Sequence, residues 1–115
     1  MTLFVEHFME GMMHDGEIDL WYQRFKDTEQ NEIMKEKLAQ YFKWKLDGSR
    51  FYIGRSMVEV HSNLGISDET FDKMLGILTV SLKKMKPNIN IKILREFVKR
   101  IAAIRPQICF PPVIA

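Results

Sequence analysis

The sequence has a single cysteine, no long apolar run and no secretory signal. With Cys109 alone, an intrachain disulfide is excluded, and this favours a reducing compartment. No apolar stretch approaches the roughly 18 residues that a membrane-spanning helix needs. The N-terminal segment contains Glu6 and Glu10 and has no basic region before an apolar run, so it does not resemble a signal peptide. We therefore expect a cytoplasmic protein.

Motifs of the common enzyme classes are absent as well. The chain contains no Gly-rich phosphate loop, no HExxH and no CxxC, and its three histidines offer no defensible Ser-His-Asp constellation. The net charge of +2 gives no strong field for nucleic acid. The basic run 83–86 is typical of a solvated helix end, where positive charge suits the helix dipole. Hydrolase, nucleotide-binding and nucleic-acid-binding functions are therefore disfavoured.

What the sequence does contain is apolar residues at helical spacing. A composition that is 46% hydrophobic and 28% charged fits one globular domain with one core. No alternating strand pattern is present, so we predict a single all-α domain over residues 1–115, in which 108–115 form an apolar tail. The predicted helices cover Leu3–Met13, Asp27–Leu46, a short segment after Ser56, Ser67–Met85 and Ile89–Ile104.

The segment between the first two helices, 17–26, is predicted to be irregular but rich in aromatic residues. Trp21, Tyr22 and Phe25 lie close together in it. Such a cluster either anchors the connection in the core or packs against a flat ligand, and the sequence leaves both interpretations open.

The short central helix combines a start signal, an apolar stripe and a stop signal. Ser56 and Glu59 have the spacing of a capping box, in which each side chain bonds the other's backbone N–H. The residues at i, i+3, i+4 and i+7 then share one face: Met57, Val60, His61 and Leu64. Gly65 follows as a helix stop. The apolar stripe of this helix therefore carries an imidazole.

A histidine on an apolar stripe is more often a core residue with its hydrogen bonds satisfied than a ligand. A neutral imidazole can instead bind iron through one ring nitrogen while the other donates to a nearby carbonyl. The proximal histidine of globins holds haem in this way. The spacing permits either role for His61.

The stretch Tyr52-Ile-Gly-Arg-Ser-Met-Val-Glu-Val-His-Ser-Asn-Leu-Gly-Ile66 resembles the truncated haemoglobins, most closely their group I. That family typically has a Tyr-x-Gly-Arg segment, a short proximal helix ending in its histidine, and a Leu-Gly-Ile-like continuation. The segments 66–71 and 104–106 are similar to the family's later helices. The resemblance implies a two-over-two helical sandwich that encloses haem b (iron protoporphyrin IX), with His61 as the proximal iron ligand.

The same resemblance implies which residues surround the haem. Phe25 would pack on the porphyrin, or Tyr22 in a shifted alignment. Met34 and Leu38 would face the bound gas, Phe8 would occupy a site that is usually tyrosine, and the propionates would meet cationic side chains. The full implied set is His61, Phe25, Phe8, Met34, Lys37, Leu38, Tyr41, Phe42, Arg55, Met57, Val60, Leu64 and Phe71.

Three departures from the family pattern carry expectations. Phe8 and Leu38 replace a tyrosine and a glutamine that, in the family, commonly donate hydrogen bonds to bound oxygen. Losing such a donor should weaken the binding of oxygen by about 1–3 kcal/mol. We therefore predict fast oxygen release, easy autoxidation and little preference for oxygen over carbon monoxide. Lys37 is either a sixth iron ligand or a solvated or propionate-pairing lysine. The chain starts inside the family's second helix, and the surface this would uncover predicts a homodimer.

The function that the resemblance implies is reversible binding of a diatomic gas (oxygen, carbon monoxide or nitric oxide) by an oxygen carrier, scavenger or sensor. Nitric oxide dioxygenation is a related enzymatic alternative. The sequence therefore does not decide whether the protein is an enzyme, although it favours a gas-binding haem protein. A third interpretation is a haem-free, globin-derived helical interaction module. Neither nucleic acid nor a membrane is expected as a partner.

Overall fold

The computed structural model describes residues 2–47, 57, 61 and 64–109. Helices make up nearly all of these residues, which contain no strand, so the all-α prediction is confirmed. None of the described helices is long and apolar enough to cross a membrane. In chain order the elements are α1 (Thr2–His14), a 3₁₀ helix (Asp19–Lys26), α2 (Thr28–Asp47), α3 (Asp68–Met85), α4 (Ile91–Ala102) and α5 (Arg105–Ile108).

Two helices begin where the sequence predicts a capping side chain. Before α2, the Gln30 backbone N–H donates to Asp27 Oδ2 across 3.0 Å. Before α3, the Thr70 backbone N–H donates to Ser67 Oγ across 3.1 Å. Each contact satisfies one of the N–H groups that the first helical turn leaves without a backbone partner. The positions of both helices therefore follow from local sequence chemistry.

The C-terminal helix is shorter than predicted and a further turn follows it. The prediction placed a helix over Ile89–Ile104, whereas α4 begins after Asn90, whose side chain accepts from the Lys92 backbone N–H. After α4 ends, the short helix α5 contains Pro106 in its first turn. Proline is tolerated there because the first turn does not need its N–H. The predicted break at this proline is therefore the start of a new turn.

The segment predicted to be irregular is a 3₁₀ helix. It follows a tight turn in which Asp15 Oδ1 accepts the backbone N–H groups of Glu17 and Ile18 at 2.9 and 3.0 Å. These two bonds lower the pKa of Asp15. Ile18 is fully buried and fixes the start of the 3₁₀ helix in the core. Turn chemistry and one buried anchor therefore order a segment that has no α-helical periodicity.

In the packing, α1 contacts both α2 and α3, the 3₁₀ helix contacts α1 and α2, and α4 contacts α2 and α3. The fully buried Phe4 lies at the centre of this arrangement. Its ring centroid is 5.2 Å from Phe42, 5.8 Å from Phe97 and 6.4 Å from Phe8. This phenylalanine cluster (Phe4, Phe8, Phe42 and Phe97) joins α1, α2 and α4.

The packing of α1 against α3 is tight at Gly11. A Cβ atom at this position would lie 2.6 Å from Ile77 Cγ2, inside van der Waals contact. We expect Gly11→Leu to lower the free energy of unfolding by about 1–3 kcal/mol, because the larger side chain forces the helices apart. Denaturant unfolding followed by circular dichroism measures the change.

Gly76 provides the control for this prediction. It lies on an exposed position of α3, where an added Cβ meets no atom within 4 Å. Gly76→Ala is expected to raise the free energy of unfolding by about 0.5–1 kcal/mol, because alanine loses less backbone entropy in a helix. A Gly11→Leu variant as stable as the parent would contradict the close contact.

Candidate functional site

A cavity of about 170 Å³ is lined by residues of α1, the 3₁₀ helix, α2, α3 and α4, by Met57 and His61, and by residues that follow α4. Most of its lining is aliphatic, aromatic or thioether, and its charged groups are two exposed cations. The lining residues are Phe8, Met12, Tyr22, Arg24, Met34, Lys37, Leu38, Tyr41, Phe42, Met57, His61, Phe71, Met74, Leu75, Leu78, Ile101, Ile104 and Ile108.

His61 lines this cavity, and one of its ring nitrogens has a backbone partner. Its Nδ1 lies 2.8 Å from the carbonyl oxygen of Met57, one helical turn earlier. Because a carbonyl only accepts, Nδ1 carries the proton and Nε2 keeps its lone pair. Burial lowers the pKa of His61, and the bond to Met57 opposes that shift only in part. The imidazole is therefore neutral near pH 7, with the Met57 carbonyl fixing its tautomer.

The backbone after His61 turns out of the helix at a glycine. The Leu64 N–H donates to the His61 carbonyl across 3.1 Å, and Gly65 has φ +65°, a left-handed conformation that suits glycine. The predicted helix stop is thus seen. Leu64 is half-buried against the core but does not line the cavity. The predicted contacts of Arg55 and Val60, and the Ser56–Glu59 capping box, lie outside the described residues.

Nine of the thirteen residues implied by the resemblance line the cavity. Phe8 comes from α1, and Met34 and Leu38 come from α2, so the predicted gas-facing positions lie on two helices that pack together. The remaining six are Lys37, Tyr41, Phe42, Met57, His61 and Phe71. Apart from Lys37, which is exposed, these positions are buried or half-buried.

Tyr22 lines the cavity and Phe25 lies behind it. The two ring centroids are 5.3 Å apart, and Phe25 is buried with the Arg24 guanidinium 4.7 Å from its ring centroid. Tyr22 is therefore the one of the two rings that reaches the cavity, with Phe25 packed against it. Which of them would pack on a flat ligand stays a prediction.

Part of the lining was not identified from the sequence. One group consists of apolar residues on α3 and towards the C-terminus, whose helical spacing predicted a core stripe without distinguishing a cavity wall. No sequence pattern indicated that Arg24 lines a cavity. The additional lining residues are Met12, Arg24, Met74, Leu75, Leu78, Ile101, Ile104 and Ile108.

An arginine holds the C-terminal side of this wall in place. Arg105 pairs with Asp68 across 3.1 Å and with Asp72, and both carboxylates belong to α3. The guanidinium also lies 4.6 Å from the centroid of Phe71, a lining residue. These contacts tie α5, with the lining residue Ile108, to α3. Because the ion pairs are largely exposed, we expect each to add little stability by itself.

Two comparisons with known proteins agree with this arrangement. A model of the bacterial-like globin family matches residues 1–105. The fold is similar to truncated haemoglobin from Tetrahymena pyriformis in its Fe(III) form, with a TM-score of 0.80 and 20% identity over 96% of this chain and 89% of that one. Two single-residue variants of that protein give a TM-score of 0.81 at 18% identity, with the same coverage. No curated protein matches the sequence.

Proposed function

This chain belongs to the bacterial-like globin family, and we propose that it binds haem b through His61 and a diatomic gas reversibly at the iron. The observation that carries the proposal is the imidazole on the wall of a mostly apolar cavity, whose Nδ1–H donates to the Met57 carbonyl, so that the lone pair of Nε2 is left for a metal. Haem supplies the iron to which the gas binds. The protein supplies the histidine that binds the iron, the apolar surroundings and the path by which the gas reaches the iron.

The donor set fits this cofactor. A carbonyl partner on the second ring nitrogen fixes the tautomer of a metal-binding histidine and raises its basicity. Within the described part of the chain, no group of three or more His, Cys, Asp or Glu side chains could hold a bare metal ion. One imidazole on the wall of a mostly apolar cavity suits a porphyrin, since the porphyrin nitrogens would provide the remaining iron ligands.

The apolar wall formed by Phe8, Met34 and Leu38 limits water around the bound gas. Exclusion of water and of competing reactions is the contribution that a protein makes to cofactor chemistry. Nitric oxide dioxygenation, the enzymatic alternative, would need stably bound oxygen and a reductant, and the absence of donors at positions 8 and 38 disfavours it. The homodimer stays a prediction.

Two cations at the edge of the cavity suit the haem propionates. Arg24 and Lys37 both line the cavity and are exposed, so their charged ends can meet carboxylates at the surface. A lysine that binds iron must instead be desolvated so that its amine loses its proton. The exposure of Lys37 therefore supports propionate pairing over the role of a sixth ligand.

A haem titration followed by absorption spectroscopy tests the proposal. Purified protein is mixed with excess haem, the excess is removed, and the Soret absorbance per chain is measured. One haem per chain, with a spectrum that changes on adding carbon monoxide to the reduced protein, is expected. A chain that retains no haem would refute the proposal and leave the haem-free interaction module as the function.

Acid is expected to destabilise the haem-free protein through His61. The ordinary pKa of 6.5 applies to the unfolded chain, and burial lowers the pKa in the folded state. As pH falls below 6.5, the unfolded chain therefore binds the proton first, and the free energy of unfolding decreases until pH reaches the folded-state pKa. Denaturant unfolding between about pH 7 and pH 5, for the parent and for His61→Gln, measures this loss. The same slope in both proteins would contradict it.

A further inference from the structure

The C-terminal side of the cavity is closed by a short stretch, which we call the wall segment (104–108). Ile104 and Ile108 line the cavity and are each only 5% exposed. The helix in this segment, α5, has four residues and packs against α3. Other walls belong to α1, α2 and α3, which are 13, 20 and 18 residues long. Since local opening is easiest where few contacts are broken, the wall segment detaches more readily than a long helix does.

Arg105 joins the wall segment to the beginning of α3. Its guanidinium donates to Asp68 Oδ1 across 3.1 Å, to the Asp68 carbonyl oxygen across 3.3 Å and to Asp72 Oδ1. The same group lies 4.6 Å from the ring centroid of Phe71, which lines the cavity. An arginine suits this position because its planar group can bond two carboxylates and stack on an aromatic ring at once. One side chain therefore fixes the wall segment and contacts a lining residue of α3.

The contacts of Arg105 act on local opening more than on the stability of the whole fold. Its side chain is 32% exposed, and those of Asp68 and Asp72 are 70% and 64% exposed. Water and salt weaken ion pairs at such positions, so they add little to the free energy of unfolding. Detachment of the wall segment alone is different, because it breaks these contacts and exposes two isoleucines while the long helices stay packed. Loss of Arg105 should therefore favour local opening without unfolding the protein.

We propose that Arg105 is a positioning residue that keeps the wall segment closed over the cavity and thereby sets how fast haem is released. This inference rests on the proposed haem function. A ligand that packs against the cavity wall leaves only when part of that wall moves, and the wall segment is held by exposed polar contacts and two apolar side chains. Because salt screens exposed ion pairs, haem release becomes faster as the ionic strength rises.

Haem transfer to a scavenger from Arg105→Gln tests the inference. We expect release about three- to tenfold faster than from the parent, with a nearly unchanged midpoint of denaturant unfolding. Arg105→Lys should resemble the glutamine variant, because an ammonium group cannot bond both carboxylates and stack on the ring together. Arg100→Gln is the matched control: Arg100 pairs with Glu96 across 3.4 Å and donates to two carbonyls at the end of α2, but it does not line or contact the cavity wall. The control should release haem as the parent does.

Amide hydrogen exchange in the haem-free protein measures the opening without any ligand. The N–H groups of Gln107 and Cys109 donate to carbonyls in the wall segment, each across 2.8 Å. In Arg105→Gln these two amides should exchange about three- to tenfold faster, while those in the middle of α3 exchange as in the parent.

The outcomes separate this inference from the proposed function. Equal exchange of the two amides in parent and variant would overturn the inference even if the parent binds haem. Faster exchange with unchanged haem release, or a lower unfolding midpoint that accounts for the faster release, would also overturn it. A parent that retains no haem would refute the proposed function and the control of haem release together.

Discussion

Replacing His61 with glycine is expected to abolish stable haem binding, and added imidazole is expected to restore it. The glycine removes the Nε2 ligand and leaves a space next to the Met57 carbonyl that a free imidazole can enter. Loss of a partner that only orients a metal ligand costs 10- to 100-fold in affinity, so loss of the ligand itself should accelerate haem transfer to a scavenger by about a hundredfold or more. The decay of the Soret band measures this rate.

His14→Gly is the matched control for this prediction. His14 Nδ1 also contacts the carbonyl four residues earlier, that of Glu10, at the same distance of 2.8 Å, but the side chain is exposed and lies outside the cavity. The control should retain haem as the parent does. Equal haem retention by the His61 and His14 variants, or no effect of imidazole, would contradict iron ligation by His61.

Truncating Phe4 to alanine is expected to lower the free energy of unfolding by about 3–5 kcal/mol. Phe4 has no exposed surface and contacts the other three rings of the phenylalanine cluster, so the substitution leaves a space where α1, α2 and α4 meet. Because natural domains are stable by only about 5–15 kcal/mol, this loss is a large fraction of the total. Denaturant unfolding monitored by circular dichroism measures it.

The effect should extend to the cavity, because Phe8 and Phe42 belong both to the cluster and to the cavity lining. We therefore expect Phe4→Ala to lose haem faster than the parent does. Leu20→Ala serves as the control, since Leu20 is 72% exposed and its truncation should change stability by less than about 0.5 kcal/mol. A Phe4→Ala variant as stable as this control would show that the cluster contributes little.

Local chemistry made several elements predictable from the sequence. Asp27 and Ser67 cap α2 and α3 as expected, because an N-cap contact involves residues only three positions apart. The stretch around His61 could be recognised because the family-like motif, the histidine and the stop glycine lie close together in the sequence. Such features depend only on residues that are close in the chain, so they can be predicted from a single sequence.

The aromatic segment shows what the sequence could not supply. Tyr22 and Phe25 are three residues apart, and in a 3₁₀ helix residues at i and i+3 lie on the same side. Which of the two faces the cavity depends on how the 3₁₀ helix packs on α1 and α2, and no local pattern encodes that packing. The alignment therefore left the two rings interchangeable.

The cavity-lining residues of α3 were not identified from the sequence for a different reason. Met74, Leu75 and Leu78 lie at helical spacing, and a stripe facing an apolar cavity is composed like one facing a core. Only the three-dimensional arrangement separates the two, since the difference is whether another side chain or open space lies opposite. Arg24 was missed because an exposed arginine on a connection has no distinctive neighbours in sequence.

The most direct test of iron binding by His61 is resonance Raman spectroscopy of the reduced, gas-free haem complex. Iron bound to a neutral imidazole gives a low-frequency iron–nitrogen stretching band that shifts when the iron isotope is changed. We expect this band in the parent. It should be absent from His61→Gly and should return when imidazole is added. A parent without the band, or a variant in which it persists unchanged, would show that His61 does not hold the iron.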